Sequence, residues 1–123
     1  MKIQESAENY LETIYMLGQT GNPVRSIDIA EELDFSKPSV SVAMKNLRSN
    51  GYITTDDDGY IYLTEQGQKV AEAMYERHVF LSDWLTSLGV DSVIAVTDAC
   101  RMEHTISEES FTAMKKYIEE RKD

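Results

Sequence analysis

Cysteine occurs once in the 123 residues, tryptophan once and proline twice. A single cysteine excludes an internal disulfide, so its thiol is buried, reactive or metal-bound. No apolar stretch approaches the roughly 18 residues that a membrane span needs. The opening MKIQESAENY has no hydrophobic segment after its charged start. Neither a span nor a secretory signal is therefore expected, and the expected compartment is the cytoplasm. The length leaves room for one compact domain or two small ones, and not for a large active-site cavity. Basic residues are also scarce, with Lys+Arg 12 against Asp+Glu 22 and a formal net charge of -10. Such a chain should on average repel nucleic acid, so composition alone argues against DNA binding.

Periodicity and capping residues predict six helices and one hairpin. Tyr10, Leu11, Ile14 and Leu17 fall at helical spacing after a possible Ser6 N-cap, and the helix should end near Gly18. After the loop TGNPVR, Ser26 is placed to cap a two-turn helix with Ile29, Ala30 and Leu33 inside. Ser36 can cap a third helix with Pro38 in its first turn, where a missing N–H does no harm, and with the stripe Val40, Met44, Leu47. Gly51 should stop it. Tyr52 to Thr55 and Tyr60 to Leu63 read as strands joined around Asp58-Gly59, a strong hairpin signal. Thr64 can cap a helix of about 24 residues, roughly 36 Å long, that keeps an apolar face until Gly89. Asp91 and Ser107 can cap a fifth and a sixth helix. The order of three helices then a hairpin is that of a winged helix-turn-helix. No internal repeat or low-complexity tract interrupts it.

A helix with small hydroxyls and bases in its first turns suits the DNA major groove. The segment SKPSVSVAMKNLRSNG, residues 36 to 51, holds Lys37, Lys45 and Arg48 and no acid, although the whole chain is acidic. A basic edge on a small helical domain can also be merely solvated, and winged helices also bind protein. Asp56, Asp57 and Asp58 at the wing tip would repel phosphate, so the helix would carry most contacts.

The lone cysteine lies in DACRMEH. On a helix, Cys100, Glu103 and His104 occupy i, i+3 and i+4 and can converge on one point. Thiolate, carboxylate and imidazole suit Fe(II), Co(II), Ni(II) or Zn(II) better than magnesium. Asn9 with Glu12 in the first helix, and His78 in the fourth, offer further donors. The plainer alternative is a small buried cysteine, with Glu103 and His104 solvated at a helix end. A thiol nucleophile with His104 as base lacks any visible third residue or oxyanion donors, so no enzyme is expected.

Several segments together resemble one family: ENYLETIYML, DIAEEL, SKPSVSVAMKNLRSNGYI, LTEQGQKVA, RHVFLSDWL and, most specific, DACRMEHTIS. The chain resembles, over nearly all its length, the metal-dependent repressors of the diphtheria toxin repressor and manganese transport regulator family. The resemblance implies a mainly α fold, a winged helix-turn-helix DNA-binding domain at 1–64 followed by an α-helical metal-binding and dimerisation domain at 65–123. It implies a divalent metal held between the two as co-repressor. By position, the family's ligands fall on Asn9, Glu12, His78, Cys100, Glu103 and His104. Cys100 matches the iron-responsive branch, where manganese-type members have glutamate. Glu12 matches the manganese type, and Asn9 matches neither. Fe(II) is thus favoured, Mn(II) next, with Co, Ni or Zn able to substitute in vitro. The iron branch's ancillary metal site would fall at Ser82 and Val96, neither a strong ligand, and is expected to be absent or rebuilt. With its end at Asp123 the chain is expected to resemble the short manganese-type members, without an SH3-like domain.

The expectation is a cytoplasmic repressor that binds palindromic operator DNA as a homodimer and controls metal homeostasis, with no organic substrate and no membrane partner. One reading helix covers few base pairs, so a two-fold pair supplies the specificity. Its dimer core would use Phe80, Trp84, Leu85, Leu88 and the fifth helix. Lys37, Lys45 and Arg48 should meet phosphates, and Pro38, Ser39, Ser41 and Val42 should lie near bases, with Ser26 and Ser36 as further DNA contacts. The alternative is a metal-responsive winged-helix module that acts through protein contacts rather than DNA.

Overall fold

The computed structural model describes residues 5–121. Its order is α1 (Glu5–Gly18), α2 (Ser26–Leu33), α3 (Lys37–Ser49), β1 (Ile53–Thr55), β2 (Ile61–Leu63), α4 (Glu65–Ser87), α5 (Ser92–Thr105) and α6 (Glu108–Glu120). The described residues up to Tyr75 and those from Glu76 onward form two compact units, and the division falls inside α4.

In the first unit, α1 already begins at Glu5, so Ser6 lies in its first turn and is not its N-cap. At α2 the cap is Arg25 rather than Ser26, because Arg25 is the extended residue and its amide donates to the Asp28 carboxylate at 2.9 Å. Asp34 then takes the left-handed conformation (φ 56°), which allows a three-residue link into α3. Ser36 caps α3 as predicted, accepting from the Ser39 amide at 3.3 Å, and Gly51 (φ 82°) follows its C-terminus.

The wing is an antiparallel pair with Ile53 opposite Leu63, Thr54 opposite Tyr62 and Thr55 opposite Ile61. Val24 adds a single bridge, accepting from the Ile61 amide at 2.8 Å. The core inside these elements is continuous and apolar: Leu11, Ile14, Ile29, Val40, Met44, Leu47, Ile53 and Ile61 are all buried. Thr64 fastens the wing to α4, for its hydroxyl donates to the Gly51 carbonyl at 2.7 Å and accepts from the Gly67 amide at 3.2 Å. Gly67 sits so close that an added Cβ would lie 2.0 Å from the Tyr52 carbonyl oxygen.

The second unit joins the C-terminal part of α4 to α5 and α6. Asp91 and Ser107 cap the last two helices, accepting from Val93 at 3.1 Å and Ser110 at 3.0 Å. Its core cluster is small: Leu81, Ala99 and Phe111 are buried, with Phe80, Trp84, Met102, Ile106 and Met114 packed around them. Phe80 meets Phe111 edge-on at 5.5 Å. Phe80 and Trp84, expected in the dimer core, are half-buried and pack against this cluster. The exposed apolar side chains here include Leu88, Val93, Ile94 and Val96, from 47% to 72% accessible. No helix among the described residues is long and apolar enough to cross a membrane.

Candidate metal centre

Helix α5 turns one stripe inward at i, i+4 and i+8: Ala95, Ala99 and Glu103, each 0% exposed. The two alanines let the helix pack closely. The third position, where another apolar residue would be expected, is a carboxylate. Burying a carboxylate is costly unless positive or donor groups compensate it. The solvated helix-end reading of Glu103 and His104 therefore fails, for the His104 side chain too is only 3% exposed.

What surrounds Glu103 is a donor set. His104 Nε2 lies 3.2 Å from one carboxylate oxygen and His78 Nδ1 lies 3.4 Å from the other. Cys100, one turn before His104, is half-buried. One donor atom each from Cys100, Glu103 and His104 lies within 4.8 Å of the others. A soft thiolate, a hard carboxylate and an intermediate imidazole fit a divalent transition ion better than Mg²⁺, which takes octahedral oxygen shells. Ser82 and Val96 do not extend the set. The Ser82 hydroxyl donates to the His78 carbonyl at 2.7 Å, and Val96 has no donor atom.

The remaining candidates lie in the first unit. On α1, Glu12 is buried at 4% exposure and Asn9 is half-buried. On α3, Lys37, Pro38, Ser39, Ser41, Val42, Lys45 and Arg48 are exposed, as is the capping Ser36, while Ser26 is half-buried. These residues lie outside the stripe Val40, Met44, Leu47 that α3 holds in the core. Asp56 at the wing tip is engaged internally: its carboxylate accepts from the amides of Asp58 (3.0 Å) and Tyr60 (2.9 Å) and from the Tyr62 hydroxyl (3.0 Å).

Two arginines escaped sequence reasoning. Arg25 stacks on Tyr60 at 4.6 Å and donates to its hydroxyl at 3.1 Å, tying the start of α2 to the wing. Arg77 donates to the backbone carbonyls of Glu103 in α5 and of Ile106, the residue that caps its C-terminus. Neither had a readable signal, because both partners are remote in sequence and one is main chain.

Residues 2–61 match the family described as iron dependent repressor, N-terminal DNA binding domain. Residues 64–123 match its metal binding and dimerisation domain. The transcriptional regulator MntR of Escherichia coli O6:H1 is 34% identical over 116 residues, which cover 94% of this chain and 75% of that protein. The diphtheria toxin repressor of Corynebacterium jeikeium is 32% identical over 117 residues, covering 94% of this chain and 49% of that one. A solved structure of the manganese regulator SloR aligns with a TM-score of 0.82 at 27% identity, over 97% of this chain and 55% of the other. The chain therefore spans about half the length of the latter two. With both halves of the family matched and a buried donor cluster inside the second, the chain belongs to the iron-dependent repressors, a family of metal-dependent transcriptional regulators.

Proposed function

We propose that this protein is a repressor that binds palindromic operator DNA as a homodimer when loaded with Fe(II) or Mn(II). The observation that carries this reading is the buried carboxylate of Glu103 among Cys100, His104 and His78. In the proposal these four are ligands, and Asn9 and Glu12 of α1 complete the set on the family resemblance. A bound divalent ion supplies two positive charges and directional coordination at one point. Glu103 and Glu12 are then neutralised, which lessens the field opposing DNA in a chain of net charge -10. Because the proposed donors come from α1, α4 and α5, loading favours those conformations in which all are satisfied.

The domains of the proposal are 1–64 for reading DNA and 65–123 for metal binding and dimerisation. Lys37, Lys45 and Arg48 take phosphates. Pro38, Ser39, Ser41 and Val42 approach base edges, with Ser26 and Ser36 beside them. The exposed Leu88, Val93, Ile94 and Val96 form the apolar surface offered to a second copy. A regulator of chromosomal operators works in the cytoplasm. The Cys100 thiolate favours Fe(II), while the manganese regulators among its relatives favour Mn(II).

Fluorescence anisotropy on operator-length DNA tests the proposal, with chelator, anaerobic Fe(II) or Mn(II), for wild type and Cys100→Ala. Metal should strengthen binding by about tenfold or more, a typical coupling. Cys100→Ala should weaken Fe(II) activation more than Mn(II) activation. Equal loss for both ions would withdraw the preference for iron. Binding indifferent to metal would sink the repressor mechanism.

A further inference from the structure

The last turn of a helix leaves its carbonyls without intrahelical donors. In α5 those carbonyls belong to the turn that carries Glu103 and His104. One nitrogen of Arg77, Nη1, donates to the carbonyls of both Glu103 and Ile106, each at 3.0 Å. A guanidinium also complements the negative end of the helix dipole. The Arg77 guanidinium carbon lies 5.3 Å from the centre of the Phe111 ring, so α6 braces it.

Arg77 directly precedes His78 on α4, and the two address the same residue. Arg77 holds the main chain of Glu103, while His78 Nδ1 lies 3.4 Å from its carboxylate. Consecutive positions of one helix thereby fix both ends of Glu103. A rotation or slide of the α5 terminus would lengthen both contacts at once and move His104 with them.

We propose that Arg77 is a positioning residue for the metal centre: it clamps the C-terminal turn of α5 so that Glu103 and His104 are held ready beside His78. The inference rests on the metal-site reading above. Arg77 touches no ion. Its effect passes through the backbone of a proposed ligand, as outer-shell hydrogen bonds do at other metal sites.

The test is anaerobic Co(II) titration of the full chain, read by affinity and by the thiolate charge-transfer and ligand-field absorption. Arg77→Gln should weaken Co(II) about 10- to 100-fold and alter the ligand-field bands, with part of the loss restored in Arg77→Lys. Wild-type affinity and spectrum in a folded Arg77→Gln protein would overturn the clamp, even if its apo melting temperature fell. Should Arg77→Gln not fold, Phe111→Leu carries the test. Loss of the bracing ring should weaken Co(II) about threefold, and unchanged affinity overturns the clamp. Glu103→Gln separates the two levels. If it leaves Co(II) binding intact, the metal-site reading fails and takes the clamp with it. If it abolishes binding while Arg77→Gln keeps wild-type affinity and spectrum, the clamp alone fails.

Discussion

The two units bury different things. The first closes over Leu11, Ile14, Ile29, Val40, Met44, Leu47, Ile53 and Ile61, a continuous apolar core reached from every one of its elements. The second buries Leu81, Ala99 and Phe111 and then gives a fully buried position to Glu103. An apolar core stabilises whatever the solution contains, through the area it removes from water. A buried carboxylate with imidazoles and a thiol at its side is stabilised in proportion to the positive charge supplied to it. The first unit, apart from the buried Glu12 on α1, thus rests on apolar packing, whereas the small core of the second is built around a buried carboxylate.

This contrast can be attacked from either side. The largest effect should follow Gly67→Ala, whose Cβ would stand 2.0 Å from the Tyr52 carbonyl oxygen. Backbone must move, so urea denaturation should show the first unit weakened by about 3 kcal/mol, with or without metal. A loss that metal restores would erase the distinction between the units. Next in size is metal itself. At about a hundred times its dissociation constant, an ion stabilises the folded state by about 2.7 kcal/mol. Amide exchange should place the slowing in α5 and the adjoining part of α4, while the α3 and wing amides change least. Uniform protection of both units would contradict the comparison.

The smallest effect concerns the wing. The Tyr60 amide first, and then, against an opposing desolvation, the Tyr62 hydroxyl and the amides of Asp58 and Gly59, hold the Asp56 carboxyl below its ordinary value of 3.8. A lowered folded pKa means that the ionised form is favoured by folding. Its contribution is present above pH 3.8 and is lost as pH falls through the lower folded value. Tyrosine resonances of the wing should therefore begin to shift below that pH, and Asp56→Asn should remove this component. Persistence of the shift in Asp56→Asn would assign it to other carboxylates.

Legibility differed between fold and site. Ser36, Asp91 and Ser107 were readable as caps because capping is a contact over two or three residues, written locally in sequence. Ser26 misled for the same reason. The rule favours serine, but Asp28 reaching back to the Arg25 amide shifted the start by one residue. The i, i+3, i+4 spacing of Cys100, Glu103 and His104 foretold convergence, since helix geometry alone produces it. It did not foretell burial. That the same spacing could have been a wet helix end was decided by Ala95 and Ala99, which turn Glu103 toward the core.

The sequence by itself determined the element order, the basic α3 within an acidic chain, and the donor types on α5, all consequences of local periodicity and capping. Tertiary structure alone decided that Glu103 is sealed from water, that His78 comes to its carboxylate, and that Arg77 takes the backbone behind it. Those are contacts across about 25 residues of chain, set by how α4 and α5 pack, and no local rule encodes which carbonyl a distant arginine will meet.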